Sequence, residues 1–402
     1  MSSSSATRTP EVAVVGGGPA GLVSAIALTA AGVETLLIAP SAADDHRTTA
    51  LLAGSVTALA TLGVWDACVP HAAPLASIRI IDNTRRLLRA PEVMFAAAEI
   101  GLDAFGHNIE NRHLIAALRD RAAQLRIPMI GVPALAVAVD QVGATVSLAD
   151  GDVRAKLIVG ADGYHSLCRA AAGIKTTRHG YPQTALTLNL AHARAHGNAA
   201  TEFHTESGPF TLVPLPGNRS SLVCVLEPPR ADALFAMTDE QLSLEIEQRA
   251  HALFGAMHAE SGRGLFPLAV VSARTIARDR IALVGEAAHV VPPIGAQGLN
   301  LGLRDAATLA EIVADARRHG ADVGSAAVLR RYEMQRRTDV TSRTIAIDLL
   351  NRSLLTGFFP MHGVRGLSLF VVDRIGPLRR ALMREGVNPA ASQPRLMRGE
   401  MV

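Results

Sequence analysis

Residues 12 to 32 read VAVVGGGPAGLVSAIALTAAG. Val12 to Val15 is a short apolar run and predicts a buried strand. Gly16-x-Gly18-x-x-Gly21 follows at once, and from Gly21 to Ala31 Leu22, Ile26 and Leu28 stand among small residues in a helical pattern. Glu34 to Ile38 predicts the next strand. Strand, glycine turn, helix and strand in that order open a parallel α/β unit that rests a pyrophosphate on a helix N-terminus. Each glycine has its own steric task. Gly16 permits the tight turn, Gly18 lets backbone approach the pyrophosphate, and Gly21 allows close helix–strand packing. The stretch carries no charge, but Gly16-Gly17-Gly18-Pro19 breaks a straight membrane-spanning helix, and no signal-peptide cleavage pattern follows.

The acid that usually binds the adenosine ribose belongs at the end of the second strand. Ala39 and Pro40 stand there, with Asp44 and Asp45 a few residues on. No second GxGxxG occurs, so any second dinucleotide binds in another manner.

Far along the chain, Gly285 to Asp305 reads GEAAHVVPPIGAQGLNLGLRD after the apolar run Arg280 to Val284. This too is a strand, a glycine- and proline-rich turn, and a helical pattern. Between the two units, Thr48 to Leu62 predicts a helix, and Asn111 to Leu125 predicts another. Leu135–Val139, Ala144–Leu148 and Val153–Val159 predict a meander turned at Gly143 and Asp150-Gly151. From Thr184 to Val271 alternation replaces helical spacing and predicts an antiparallel sheet, with a helix over Asp239–Phe254. Helices are expected at Leu299–Arg318 and Ser325–Arg352.

The 402 residues accommodate a large core. Hydrophobic content of 49% against 19% charged residues excludes a disordered chain. Aromatic content of 3% leaves too few rings for base stacking, so nucleic acid is not an expected partner. Cys68, Cys168 and Cys224 are scattered, with no CxxC pair and no metal-ligand spacing, which fits a reducing compartment. The net charge of +3 is uneven: from Arg336 to Val402 eleven arginines face five acidic residues. That basic, apolar end suits an acidic lipid surface or a solvated face equally.

Three segments together resemble the class A flavoprotein monooxygenases, which share the para-hydroxybenzoate hydroxylase fold. They are Gly16 to Gly21, Gly160-Ala-Asp162-Gly163-Tyr-His-Ser166-Leu-Cys-Arg169, and Gly285 to Asp305. Arg47-Thr-Thr-Ala-Leu51, Leu59-x-x-Leu62-Gly63-Val-Trp65, Ile109-Glu110-Asn111, Asp348-Leu-Leu-Asn351 and Val372-Asp373-Arg374 narrow it to the ubiquinone-biosynthesis hydroxylases.

The resemblance implies a Rossmann-like FAD domain of the GR2 type, an inserted antiparallel substrate domain and a helical C-terminal region. The expected divisions are a tail at 1–9, the FAD domain at 10–75, 100–180 and 272–340, the substrate domain at 76–99 and 181–271, and a membrane-facing region at 341–402. It implies FAD as cofactor, NAD(P)H as electron donor, and hydroxylation of a prenylated phenol or quinone precursor by O2 through a flavin C4a-hydroperoxide. Other ubiquinone-biosynthesis proteins and a membrane surface are implied partners, with the protein cytoplasmic and peripheral to the inner face of the membrane.

Residue by residue, it implies that Gly16, Gly18 and Gly21 cradle the FAD pyrophosphate and that Arg47 and Arg112 contact its phosphate and ribityl region. Asp162 would lie between flavin and the approaching nicotinamide, and Glu286 would bind ribityl oxygens. Pro292 and Pro293 would shape the site. Gly298, Leu299 and Asn300 would offer backbone N–H groups to the flavin's pyrimidine edge. His289 is either a hydrogen-bonded structural residue or a catalytic one, and Ser166 is read as a helix cap. Glu286 stands where aspartate is usual, and Gly295-Ala296-Gln297-Gly298 departs from the usual order of small residue, glycine, glutamine. Ala39 and Glu286 keep open a non-catalytic, flavin-poor scaffold, and a flavin-dependent prenyl reductase on the same fold is the weaker alternative.

Overall fold

The computed structural model describes residues 9–40, 45–84, 91–293, 295–355, 375–387 and 393–402. Val12–Val15 is central to a six-stranded sheet, flanked in parallel by Leu157–Gly160 and Thr35–Ile38. Ile281–Leu283 extends it beside Leu157–Gly160 and Met129–Ile130 beside Thr35–Ile38, both parallel, while Ala277–Arg278 closes one edge antiparallel. Every residue of the three central strands is buried. Parallel strands are covered on both faces, which is why they read as unbroken apolar runs.

The helix Pro19–Ala30 starts with proline at its first turn and ends before Gly32, whose φ of 77° satisfies a left-handed stop. Its small residues bring it against the helix Gln297–Arg318, which joins both ends of the chain over one core. Arg317 and Arg318 in the last turn of that second helix complement its dipole.

A nine-stranded sheet stands on this unit. Its order is His289–Val290, Gly264–Ala273, Thr176–His192, Arg219–Leu226, Pro209–Leu215, Ala199–His204, Ser77–Asp82 and Val93–Ala96, with Met257–Ala259 also paired to Thr176–His192. The 17-residue strand Thr176–His192 is the spine, irregular between Gly180 and Thr184. Alternation sorts its two faces. Leu186, Leu188 and Leu190 pack with Leu222, Cys224 and Leu226 against the helices Pro228–Phe235 and Asp239–Arg249. Ala185, Thr187 and Asn189 face the other way, opposite Val225, Val223 and Ser221.

The local expectations differ from the structure in four places. Thr48–Leu52 is a strand, not the first turns of a helix, because Thr48 and Thr49 find Glu110 and Ile109 on the distant strand Gly106–Glu110, and the helix begins at Ala53. The expected third meander strand is two strands. Gly151–Ala155 pairs with Ala144–Leu148, and after Lys156 the apolar Leu157–Gly160 enters the parallel sheet. The helix from Asp239 stops at Arg249, where His251 and Ala252 take left-handed φ values of 51° and 50°. The helix expected from Leu299 begins two residues earlier, at Gln297.

Candidate functional site

The nucleotide end is set by contacts that leave no room for a side chain. A Cβ on Gly16, whose φ is 121°, would stand 2.1 Å from Ala161 O, and one on Gly21 would stand 2.1 Å from Gly16 O. Nothing lies within 4 Å of the corresponding point at Gly18. Gly16 and Gly21 are therefore demanded by packing, whereas Gly18 leaves open space in front of the Pro19 helix. Ala39 is buried at the end of the second strand. Asp45, one of the two acids in that neighbourhood, accepts from Arg47 Nε at 2.8 Å and from Asn111 Nδ2 at 2.9 Å. Burial raises the Asp45 carboxyl, but these donors outweigh it and hold it below the usual range. Asp44 lies outside the described residues.

The open space at Gly18 continues as a cavity of about 970 Å³. It runs past Asp45 to Thr49, Gly285 and Glu286, Pro292 and Pro293, and Gly298 and Leu299. It ends on the Ala185, Thr187, Asn189, Ser221, Val223 and Phe266 face of the large sheet. Arg47 also lies over the Phe266 ring, 5.5 Å from its centroid.

A buried ionic knot sits behind the Gly285–Glu286 turn. Asp305 accepts from Gly285 N at 3.1 Å, His289 Nε2 at 2.6 Å and Arg336 Nε at 2.7 Å. Burial drives the Asp305 carboxyl upward, yet His289 and Arg336 outweigh it and keep it below the usual carboxylate range. Tyr332 adds a hydrogen bond to Leu283 O, so the knot grips the strand as well as the turn.

The other expected site residues fall outside this lining. Asp162 accepts from Cys168 N through Oδ2, and its buried Oδ1 has no partner among the described residues. Arg112 pairs with Glu110 at 2.8 Å. Asn300 is a latch: it accepts from Leu52 N at 2.9 Å and donates to Ala50 O at 2.8 Å. Ser166 accepts from Arg169 N and caps the short helix Leu167–Ala171.

Residues 9–345 match the family described as FAD binding domain. The chain belongs to this FAD-binding family of class A flavin monooxygenases. Ubiquinone hydroxylase UbiL of Rhodospirillum rubrum is 36% identical, over 98% of this chain and 94% of the relative. The 3-demethoxyubiquinol 3-hydroxylase of Escherichia coli is 32% identical, over 93% of this chain and 97% of the relative. Among solved structures, p-nitrophenol 4-monooxygenase PnpA from Pseudomonas putida DLL-E4 superposes with a TM-score of 0.79 at 20% identity, covering 96% of this chain and all of that one. At that identity the likeness speaks for the fold alone.

The residues of this flavin monooxygenase fit FAD, because the one glycine of its fingerprint with free space in front opens onto a long cavity that crosses between both sheets. Sequence reasoning missed Asp305 and Arg336 as a pair. The available signal was Arg304-Asp305, the two charges within the stretch from Leu299 to Ala310. Along Arg219–Leu226, Leu222, Cys224 and Leu226 belong to the cluster packed against the helices, and the alternate residues Ser221 and Val223 line the cavity.

Proposed function

We propose that this protein is an FAD-dependent hydroxylase that uses NAD(P)H to insert one oxygen atom of O2 into a prenylated phenol or quinone precursor of ubiquinone. The observation that carries this reading is the single cavity joining the Gly18 cradle to the mixed small and polar face of the nine-stranded sheet. The ubiquinone hydroxylases of 36% and 32% identity support the substrate class.

Bound FAD, once reduced, supplies the oxygen-activating chemistry. The chain binds, orients and keeps water away. Gly16 and Gly21 shape the pyrophosphate turn, and Gly18 admits it. Arg47 and Glu286 line the cavity between the pyrophosphate and ring ends, suited to the phosphate and the ribityl oxygens. Pro293, Gly298 and Leu299 form the ring end, with Asn300 holding their helix to the Thr48–Leu52 strand. Asp162 holds the Ala161–Gly163 bend, and Arg112 stands at the outer edge of the site through Glu110. Ala185, Val223, Phe266 and Leu268 exclude water from the reacting ring. Asn189 lines the same face and donates to His46 O at 3.3 Å; its amide oxygen suits the phenolic O–H of the substrate as an acceptor.

The six-stranded unit is the FAD domain and the nine-stranded sheet the substrate domain. Among the described residues no helix is long and apolar enough to cross a membrane. A prenylated substrate calls for peripheral contact instead. The helix Gly376–Val387 suits it, since Leu378 and Leu382 are exposed with Ile375 just before them, and Arg380 and Arg384 stand exposed on the same helix. Residues 356–374 and 388–392 of the expected membrane-facing region lie outside the described residues.

The test is purification followed by turnover. A yellow protein that couples NAD(P)H oxidation and O2 uptake to one added oxygen in a polyprenyl phenol is expected, read by mass spectrometry with isotopically labelled O2. Colourless protein that takes up no FAD, yet is still required for quinone synthesis, identifies a scaffold instead. Turnover without O2 identifies a reductase.

A further inference from the structure

Arg47 and Arg178 are the two arginines that line the cavity. Asp45 holds the guanidinium of Arg47 through Nε and Nη2, each at 2.8 Å. Arg178 is exposed and has no partner among the described residues. Its Nη1 lies along the strand, 3.9 Å from where a Cβ on Gly180 would stand. Arg178 pairs across to Val271, and Val271 to Val290. Paired residues share a sheet face. Val290 lines the cavity, as does Ala269 opposite Gly180, so this face is the cavity's own.

The surroundings of Arg178 are one-signed. Residues 174–181 and 268–275, whose strands pair here, contain Lys175, Arg178 and Arg274 and not one aspartate or glutamate. Arg274 N bonds Lys175 O at 2.9 Å, which keeps the two ends together. Glu333 reaches this edge from the helix Ala326–Leu355, but Thr275 Oγ1 and Ile276 N take up its carboxylate. A strip of uncompensated cations at a cavity edge concentrates anions, and a free guanidinium matches a phosphate with two parallel hydrogen bonds.

We infer that this strip, centred on Arg178, binds the anionic pyrophosphate backbone of the nicotinamide donor. This rests on the NAD(P)H-dependent reading above. The chain has one dinucleotide fingerprint, and its open Gly18 faces the FAD end of the cavity, so a second dinucleotide requires a different anion site. Arg178 supplies one on the cavity's own lining, near enough for the same molecule to reach inward.

The experiment is anaerobic reduction of the FAD-loaded protein by NADPH and by NADH, followed at the flavin absorbance. It is paired with calorimetric titration of NADP+ as a readout independent of turnover. Arg178→Ala is expected to raise the Kd for donor and for NADP+ at least about tenfold, the loss of one charged hydrogen-bonding partner. The limiting reduction rate and FAD affinity stay as in wild type. Added salt weakens donor binding steeply in wild type and less in the variant. Arg274→Ala gives a smaller shift of the same sign. Unchanged Kd values in Arg178→Glu overturn the inference. So does loss of co-sedimentation with phosphatidylglycerol vesicles in Arg178→Glu while donor binding holds, since the strip then faces lipid. Wild-type flavin that neither NADPH nor NADH reduces overturns the parent reading, and this inference with it, whatever the variants do.

Discussion

His289 Nε2 stands 2.6 Å from Asp305 Oδ2, and both side chains are sealed from solvent. The same carboxylate oxygen accepts the N–H of Gly285, so the helix Gln297–Arg318 fixes the turn that presents Glu286 to the cavity. His289 thereby acts on the site through Asp305. Its Nδ1 is buried with no partner among the described residues. Removing Asp305 strips Arg336, His289 and Gly285 of a shared acceptor. Asp305→Asn is expected to cost about 3–5 kcal/mol, as for breaking a buried ion pair. Urea unfolding measures this, and FAD affinity should fall with it because the Glu286 turn loosens.

Asp339 ties this knot to acid stability. Burial raises its carboxyl, but Arg336 and Arg304 outweigh burial and bring it down to about 2. A carboxyl held below its unfolded value of about 3.9 stabilises fully above that pH, and the contribution fades as pH falls toward the folded value. Unfolding free energy should therefore drop between about pH 5 and about pH 2, and Asp339→Asn should flatten the drop. An equal slope in the variant would show that other carboxylates carry it.

Two fingerprint glycines, Gly18 and Gly21, should separate by phenotype. Gly18→Ala meets no atom within 4 Å, so the protein should fold with an unchanged unfolding midpoint while FAD affinity falls. Gly21→Ala drives a methyl into Gly16 O and should destabilise by about 1–3 kcal/mol or prevent folding. Thermal unfolding beside a fluorescence titration with FAD distinguishes the two.

Glu286 is exposed on the cavity wall and has no bonded partner among the described residues. Glu286→Ala should leave stability within about 0.5 kcal/mol. Loss of a charged acceptor should weaken FAD by about tenfold, and Glu286→Asp should restore part of it. FAD affinity equal to wild type in Glu286→Ala would remove this residue from the ribityl site.

Ala296 precedes the helix Gln297–Arg318 with φ 54° and ψ 32°, a left-handed conformation. A non-glycine residue there costs about 1–2 kcal/mol, and glycine costs about 0.5–1 kcal/mol in chain entropy. Ala296→Gly should thus stabilise by about 0.5 kcal/mol, seen as a higher urea midpoint. The unusual Gly295-Ala296-Gln297 order, legible in the sequence as a departure, turns out to be a point of backbone strain.

The sequence by itself determined the nucleotide-binding unit, the order of the parallel strands' apolar runs, and the three motifs that mark a flavin monooxygenase. It could do so because these features are local: a glycine is required where a Cβ would strike backbone a few residues away, as at Gly21, and a fully buried strand is apolar at every position. Only the tertiary structure decided which side of each sheet strand meets the cavity, since one residue of register exchanges Ser221 and Val223 for Leu222 and Cys224. Long-range partners were equally hidden. Glu110 claims Arg112, Asn300 turns inward to Ala50 and Leu52, and Asp305 gathers His289 and Arg336. Such pairings depend on how separately folded faces dock, and spacing along the chain carries no record of that.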